Sequence, residues 1–322
     1  MSLNLQQLLN RLTFRQLQVF HAVYHHRGYR RASEALGLTQ PAVSSQIRKL
    51  EEAVEAPLFE YVGRKLYSTP AGEKLAETVR GLFEQLGNLQ SELQALRGQL
   101  AGELNLCLVN TAQYVVPHIL KGFLQLYPGV RASLRVVNRA GAIEGLTRNR
   151  DDLVIMGLVP TDKPLSILPF LDNALIPVMG ADYPLDSRKP ISLRQFVQQP
   201  LLMREAGSGS RLALEQYCQQ RHLTARPMME MGSIETLKQG VMAGLGVAVV
   251  PQLSVVAELQ SGLLRPIPIK DFNLRRSWCL VHPKGKHLSP VAQAFYDYVQ
   301  QNLADISQQF DHFDIGKLAE TA

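Results

Sequence analysis

The stretch Arg30-Arg31-Ala32-Ser33-Glu34-Ala35-Leu36-Gly37-Leu38-Thr39-Gln40-Pro41-Ala42-Val43-Ser44-Ser45-Gln46-Ile47 decides how the chain is read. Tyr29, Ala32, Ala35 and Leu36 form one small apolar face, and Gly37 stops that helix. Thr39 caps the next helix, with Pro41 in its first turn, where a missing N–H is harmless. Val43, Ile47 and Leu50 are its buried stripe, and Ala32 and Ala35 are small enough for close helix contact. Two helices joined by a tight glycine-containing turn make a helix-turn-helix, whose second helix enters the major groove of DNA. Gln40, Ser44, Ser45 and Arg48 lie on the face away from the apolar stripe. Gln can make paired hydrogen bonds to adenine, Ser can serve either base, and Arg48 can reach guanine or phosphate. The free N–H groups at the helix start, beside Thr39 and Pro41, attract phosphate, and Arg30 and Arg31 add charge on the preceding helix. Each side chain alone is ordinary solvated surface; the ordered set carries the reading.

Working outward, Phe14, Leu17, Phe20, Val23 and Tyr24 recur at helical spacing and predict a helix that closes at His25-His26-Arg27-Gly28. Downstream, Val62-Gly63-Arg64-Lys65-Leu66-Tyr67-Ser68-Thr69 reads as a short hairpin with a basic tip, a wing. Arg64 suits a narrow minor groove and Lys65 a phosphate, although a charged hairpin tip is also ordinary surface. From Thr69-Pro70 a long helix starts, in which Leu75, Val79, Leu82, Leu86, Leu89, Leu93, Leu96 and Leu100 alternate in steps of four and three. That heptad stripe opposite a polar face predicts dimerisation through a coiled coil rather than a helix lying on its own domain. Residues 1–80 hold eleven Lys and Arg against seven Glu, so +4 of the formal +6 sits in the first quarter. That asymmetry fits a nucleic acid partner for this segment and equally fits a solvated helical surface.

From Gly102 the pattern becomes alternating strand and helix: strands at residues 104–109, 130–137, 152–157, 175–179, 201–204 and 247–250, with helices between. That rhythm predicts an α/β domain with a largely parallel sheet. The tail from about Ala304 is polar and is expected to fray.

Several function classes find no support. There is no G-x-S-x-G elbow, P-loop or HExxH, so no catalytic residues are assigned and an enzyme is not expected. Cys107, Cys218 and Cys279 are odd in number and far apart, which indicates neither a disulfide framework nor a zinc finger. His25 and His26 adjoin but face different ways on a helix, so no metal site is assigned, and Asp151-Asp152 at a strand start reads as a turn rather than an acid/base couple. No apolar run approaches the ~20 residues of a membrane helix, and the N-terminus has no signal-peptide stretch, so a cytoplasmic protein away from the membrane is expected. An enzyme or a solute-binding protein with an accessory helical module is the rival class, and a solute-binding protein for transport would need export.

At this point the sequence resembles the LysR-type family of bacterial transcription regulators. The matching residues are Leu12-Thr13-Phe14-Arg15-Gln16-Leu17-Gln18-Val19-Phe20, Arg31-Ala32-Ser33-Glu34-Ala35-Leu36 and Leu38-Thr39-Gln40-Pro41-Ala42-Val43-Ser44, extended by Leu58-Phe59-Glu60 and Thr69-Pro70-Ala71-Gly72. At Arg27-Gly28-Tyr29-Arg30 the family more often shows Gly-Ser-Phe-Thr; Gly28 and Tyr29 keep the packing role, but the hydroxyls are lost. The resemblance implies a multidomain chain: an all-α winged helix-turn-helix plus long linker helix, then a two-lobed α/β periplasmic-binding-protein-like (type II) sensor domain. The expected limits are residues 1–70 for the DNA-binding domain, 71–101 for the linker and 102–303 for the sensor. Lobe I takes about 102–173 and 277–303, lobe II about 174–276, and 304–322 is the tail. The implied partners are a double-stranded DNA operator, RNA polymerase and further copies of the chain in a homodimer or homotetramer. No cofactor is implied.

An effector would sit between the lobes, and three places offer anion chemistry. Asn110-Thr111-Ala112 follows a strand and precedes a helix. Arg204-Glu205-Ala206-Gly207-Ser208-Gly209-Ser210-Arg211 offers backbone N–H groups from Gly207 to Ser210 and two guanidinium groups, Arg204 and Arg211. In Gly232-Ser233, Ser233 opens a helix. Asn138 and Arg139, after the second strand, and Gly157, ending the third, complete the candidate set. The simpler role of helix cap stays open for Thr111 and Ser233, and that of a turn for Gly207-Ser208-Gly209. Phe170-Leu171-Asp172-Asn173, Glu230-Met231-Gly232-Ser233, residues 204–211, 238–246 and 288–295 look like the CbbR branch, regulators of Calvin-cycle carbon-fixation operons. That resemblance implies a small anionic effector, a phosphorylated sugar or NADPH; a branch tied to sulfur metabolism shares some of these stretches.

Overall fold

The structure is a computed structural model that describes residues 5–95, 100–186 and 188–311. It divides into two units, Met1–Gln90 and Ser91–Ala322, and each follows from its own local chemistry.

The first unit runs α1 (Leu5–Arg11), α2 (Phe14–His26), α3 (Tyr29–Leu36), α4 (Gln40–Val54), β1 (Phe59–Val62), β2 (Lys65–Ser68) and α5 (Pro70–Ala95). A capping box starts α2: Gln16 N–H donates to Thr13 Oγ1 at 3.3 Å and Thr13 N–H to Gln16 Oε1 at 2.7 Å. Gly37 ends α3 at φ 62°, left-handed backbone that favours glycine, while Leu38 N–H returns to Ser33 O at 2.9 Å. Thr39 then caps α4 through Ala42 N–H at 3.4 Å. Val19, Phe20 and Val23 of α2, Ala32 of α3 and Val43, Ile47 and Leu50 of α4 close one core with Leu58, Leu66 and Val79.

The wing is an antiparallel pair whose register, Phe59↔Ser68 to Val62↔Lys65, leaves Gly63-Arg64 as its turn. Glu51 of α4 anchors it by accepting Leu58 N–H at 2.8 Å, and Thr69 Oγ1 donates to Pro57 O at 2.6 Å. Gly72 permits this closure, because a Cβ there would stand 2.2 Å from Leu58 O. Along α5 the stripe changes character: Val79 is buried, whereas Leu82, Leu86, Leu89 and Leu93 are exposed. Leu96, the next position of that stripe, lies outside the described residues.

The second unit begins with β3 (Ala101–Val109), a 3-10 turn at Asn110–Tyr114, α6 (Val116–Leu126), β4 (Gly129–Val137), α7 (Arg139–Thr147) and β5 (Leu153–Met156). The chain then enters β6 (Leu165–Gly180), followed by α8 (Leu193–Val197), β7 (Leu202–Arg204), α9 (Gly209–Gln219), β8 (Met229–Met231), α10 (Ile234–Met242) and β9 (Ala248–Pro251). A second 3-10 turn, α11 (Val256–Gln260), β10 (Leu264–Pro266), β11 (Leu274–Pro283), α12 (Pro290–Gln301) and α13 (Leu303–Asp311) complete it.

Two long strands, β6 and β11, run through both lobes, and β11 pairs antiparallel along its length with residues Leu165 to Leu175 of β6. One core gathers residues up to Leu171 and again from Trp278, and the cores of the other lobe hold residues from Leu175 to Leu274. The chain therefore crosses between lobes at residues 172–174 and returns at 275–277.

The sheet corrects the expectation of a largely parallel arrangement. β3 pairs parallel with β4 and β5, and β7 with β8, but β5 with β11, β6 with β9, β6 with β10 and β6 with β11 are antiparallel. The reason is the double crossing: the departing and returning strands lie side by side, so they must run in opposite directions.

The tail also differs from expectation. Lobe I does not end at 303, because α13 places Ile306 and Phe310 in its core, with Phe310 edge-on to His118 at 5.9 Å. The i, i+4 apolar pair among polar residues makes this an amphipathic helix rather than a frayed end. Residues 312–322 of that expected tail lie outside the described residues. Among the described residues no helix is long and apolar enough to cross a membrane.

Candidate functional site

The first candidate surface is built on α3, α4 and the wing. Burial of Val43, Ile47 and Leu50 fixes the roll of α4, which leaves Gln40, Pro41, Ser45 and Arg48 exposed and Ser44 half-buried. Thr39 is exposed at the N-terminus of the same helix. Arg30 and Arg31 are exposed on α3; Arg30 pairs with Glu34 at 3.1 Å, and Arg31 is braced on Arg27 O at 3.1 Å. Arg64 and Lys65 are exposed at the wing tip. A groove between α3 and the wing is lined by Arg27, Arg30, Arg31, Gln40, Arg64 and Lys65, with Tyr29, Tyr61 and Tyr67 between the cations. Burial pushes the Tyr29 phenol up to about 12. The groove is thus strongly basic, with aromatic faces, as a polyanion-binding surface requires.

The second site lies between the lobes. Its lining includes Asn110, Thr111, Asn138, Arg139, Gly157, Arg204, Ser208, Gly209 and Ser210, which brings together nine of the candidates from four separate segments. About 40 Å³ of the cleft admits the centre of a water-sized sphere, within about 500 Å³ of space that includes open solvent. Arg139 Nε donates to Leu158 O at 2.7 Å, and burial lowers the pKa of its guanidinium. Ser208 precedes α9, is buried and lies 3.1 Å from Ser210 through their hydroxyls. Thr111 sits in the 3-10 turn after β3 rather than on a full helix.

Other candidates stand elsewhere. Ala112 is fully buried in the core of lobe I. Gly207 lies beside the cleft, its carbonyl accepting Ala140 N–H at 3.2 Å. Arg211 turns away to Glu215 at 2.8 Å and to Glu230, and its Nη1 braces Arg204 O at 3.1 Å. Ser233 caps α10 through Thr236 N–H at 3.0 Å, and Gly232 beside it does not line the cleft.

Sequence reasoning missed the floor of the cleft. Asn173 and Arg276 are register partners where β6 and β11 cross between lobes, and Leu171 is opposite Trp278. Strand alternation puts Asn173, Arg276 and Trp278 on the cleft side, and Asp172, Arg275 and Ser277 on the other face. Among the described residues, Asn173 Oδ1, Arg276 Nε and Trp278 Nε1 are buried polar atoms without a hydrogen-bond partner, and all three residues line this cleft. Buried polar groups are normally satisfied, so these two donors and the amide oxygen are positioned for water or a polar ligand to meet from the cleft. The available signal was Trp278, the single Trp of the chain, in a segment already expected to cross between lobes.

The lobes also touch directly. Asn138 Nδ2 of lobe I donates to Glu205 Oε1 of lobe II at 3.2 Å, and the Tyr114 phenol reaches Glu235 on α10. Burial first, then that hydrogen bond, pushes Tyr114 up to about 12. Lys238, buried, completes this contact between Glu235 at 3.1 Å and Glu258 at 2.8 Å. Asp151 and Asp152 hold strands together, Asp151 with Arg135 and Asp152 accepting Asn105 N–H at 2.7 Å.

Comparison with known proteins gives a consistent set of likenesses. Residues 14–73 match the model for bacterial regulatory helix-turn-helix proteins of the lysR family, and residues 97–304 match that for the LysR substrate binding domain. The chain is 40% identical over 293 residues to the RuBisCO operon transcriptional regulator of Acidithiobacillus ferrooxidans, covering 91% of this chain and 95% of that protein. The regulatory domain of Synechocystis PCC6803 CcmR, solved in complex with 2-PG, is 34% identical with a TM-score of 0.59, over 62% of this chain and 96% of that one. Full-length CbnR, solved with its target DNA, shares the fold at 21% identity and a TM-score of 0.71, over 90% and 99% of the two chains.

Proposed function

Because the chain belongs to the LysR family of bacterial helix-turn-helix regulators, we propose that it controls carbon-fixation genes in response to a small phosphorylated metabolite held between its sensor lobes. The winged helix-turn-helix reads the operator: Gln40, Ser44, Ser45 and Arg48 face base edges, Arg30, Arg31 and Lys65 face phosphates, and Arg64 enters the minor groove. Thr39 and Pro41 set the helix start against the backbone. The exposure of all of these but the half-buried Ser44 supports this reading, since a face packed against its own domain cannot enter a groove.

The observation that carries the effector reading is the convergence of unpartnered Arg276 Nε, Trp278 Nε1 and Asn173 Oδ1 with Arg139, Arg204 and Ser208 on one cleft. Donors outnumber acceptors and the lining cations meet no lining carboxylate, which is the chemistry of an anion site. The carbon-fixation role rests on the RuBisCO operon regulator and on CcmR as relatives. The exposed Leu82, Leu86, Leu89 and Leu93 stripe supports a homodimer or homotetramer, and RNA polymerase is the partner through which operator binding acts. Three buried free cysteines suit the reduced cytoplasm.

The test is a mobility-shift titration on promoters of carbon-fixation genes, with and without 2-PG, a phosphorylated sugar and NADPH. Sequence-specific binding that one of these anions changes at constant ionic strength is expected. No preference over competitor DNA, or specific binding indifferent to all three, refutes the corresponding half of the reading.

A further inference from the structure

The most deeply buried cation of the cleft carries its own counter-ion. Arg204, 2% exposed, donates from Nε to Glu205 Oε2 at 2.8 Å and from Nη2 to Oε1 at 3.0 Å. The same Oε1 accepts Asn138 Nδ2 from the opposite lobe at 3.2 Å. Glu205 N–H is fixed on Met231 O at 3.1 Å, and its carbonyl accepts Ser208 N–H at 3.1 Å, so the backbone is held while the carboxylate spans two partners. Among the described residues no acidic one lines the cleft itself, whereas Arg139, Arg204 and Arg276 do.

Resting on the reading of this cleft as the effector site, we propose that Glu205 is its specificity-determining residue, an internal carboxylate that an incoming anion must displace from Arg204. A bidentate guanidinium–carboxylate pair is a strong partner and a buried guanidinium needs one. A singly charged carboxylate offers Arg204 nothing that Glu205 does not already supply. A phosphate monoester brings more charge and three acceptor oxygens, enough to meet Arg204, the Ser208 and Ser210 hydroxyls and the start of α9 together. Displacement also frees Oε1 from Asn138, so occupancy changes a contact between the lobes. That gives the two states the differential interaction a ligand-driven shift requires.

The experiment titrates the full-length protein with 2-PG and with acetate, followed by fluorescence of Trp278, which lines the cleft and is the single Trp of the chain. The wild type is expected to bind 2-PG and to ignore acetate. In Glu205→Gln, loss of the like charge that the ligand would otherwise displace should tighten 2-PG by at least about tenfold, the effect of one unit charge about 12 Å away at an effective dielectric near 20, and acetate should begin to bind. Unchanged or weaker 2-PG binding with unchanged discrimination, in a variant whose operator affinity is intact, overturns the proposal. If Glu205→Gln does not fold, a crystal structure of the wild type soaked in 2-PG decides. Glu205 turned away from Arg204 supports the proposal, and a retained bidentate pair overturns it. Binding of neither anion by either protein refutes the effector reading and this proposal together, whereas wild-type binding of 2-PG without gain in the variant refutes the role of Glu205 alone.

Discussion

Replacing Trp278 by Phe should separate stability from ligand affinity. The indole is 1% exposed in the core of lobe I and its Nε1 has no partner. Loss of ring volume costs on the order of 1–2 kcal/mol in a packed core. Removal of a buried unsatisfied donor returns about 1–3 kcal/mol. The two nearly cancel, so unfolding should change by about 1 kcal/mol or less, roughly 2–4 °C for a unit of this size. Affinity has no such offset. A hydrogen bond to a charged acceptor contributes about 1.5–3 kcal/mol, so the Kd for 2-PG should rise about 10- to 150-fold. Thermal melts with and without 2-PG measure the first quantity. Isothermal calorimetry measures the second, because the substitution removes the single Trp. A melting temperature lowered by more than about 6 °C with unchanged 2-PG affinity would show that Trp278 serves only the core, and the cleft-floor argument would fail.

Gln40→Ala should weaken operator binding by ~1–3 kcal/mol while leaving binding to random DNA unchanged, read by mobility shift against competitor; equal loss on both would remove Gln40 from base readout. Leu89→Glu should lower the mass seen by sedimentation while each protomer keeps its helical circular dichroism, since Leu89 is exposed within its own chain; an unchanged oligomer would count against the leucine stripe as an interface. Arg204→Ala should both abolish the 2-PG response and destabilise the second unit. It leaves Glu205 without its buried partner, a change that typically costs about 3–5 kcal/mol. Operator affinity measured well below the melt should survive, and a response to 2-PG that persists would exclude Arg204 from the site.

The helix-turn-helix was legible because everything that makes it is local. Thr13, Gly37, Thr39 and Pro41 act on groups within a few residues of themselves, and the spacing of Val43, Ile47 and Leu50 sets which side of α4 is left for Gln40 and Arg48. Asn110-Thr111, Asn138-Arg139 and Ser208-Gly209-Ser210 were legible for a similar reason: each follows a strand, where an α/β chain presents its polar turns.

Pattern alone could not place Arg211 and Ser233. The first side chain is drawn to Glu230 on β8 as well as to Glu215 on its own helix, which spacing does not reveal, and the second takes the cap that its place before α10 had left open. The apolar pair of α13 was hidden by the polar residues around it until lobe I supplied a surface to cover it.

What the amino-acid order alone determined is the set of elements and the local stops, caps and apolar faces that define them. What only the tertiary structure decided is the pairing of β6 with β11, which sets Asn173 against Arg276 across about a hundred residues of chain and makes the sheet mixed. Strand side chains alternate with a period of two, so a slip of one residue would turn Asn173 and Trp278 out of the cleft and bring Asp172 and Ser277 in. That register is fixed by burial of the face that carries Asn173 and Trp278 and by the partner strand, and neither exists until the lobes have formed.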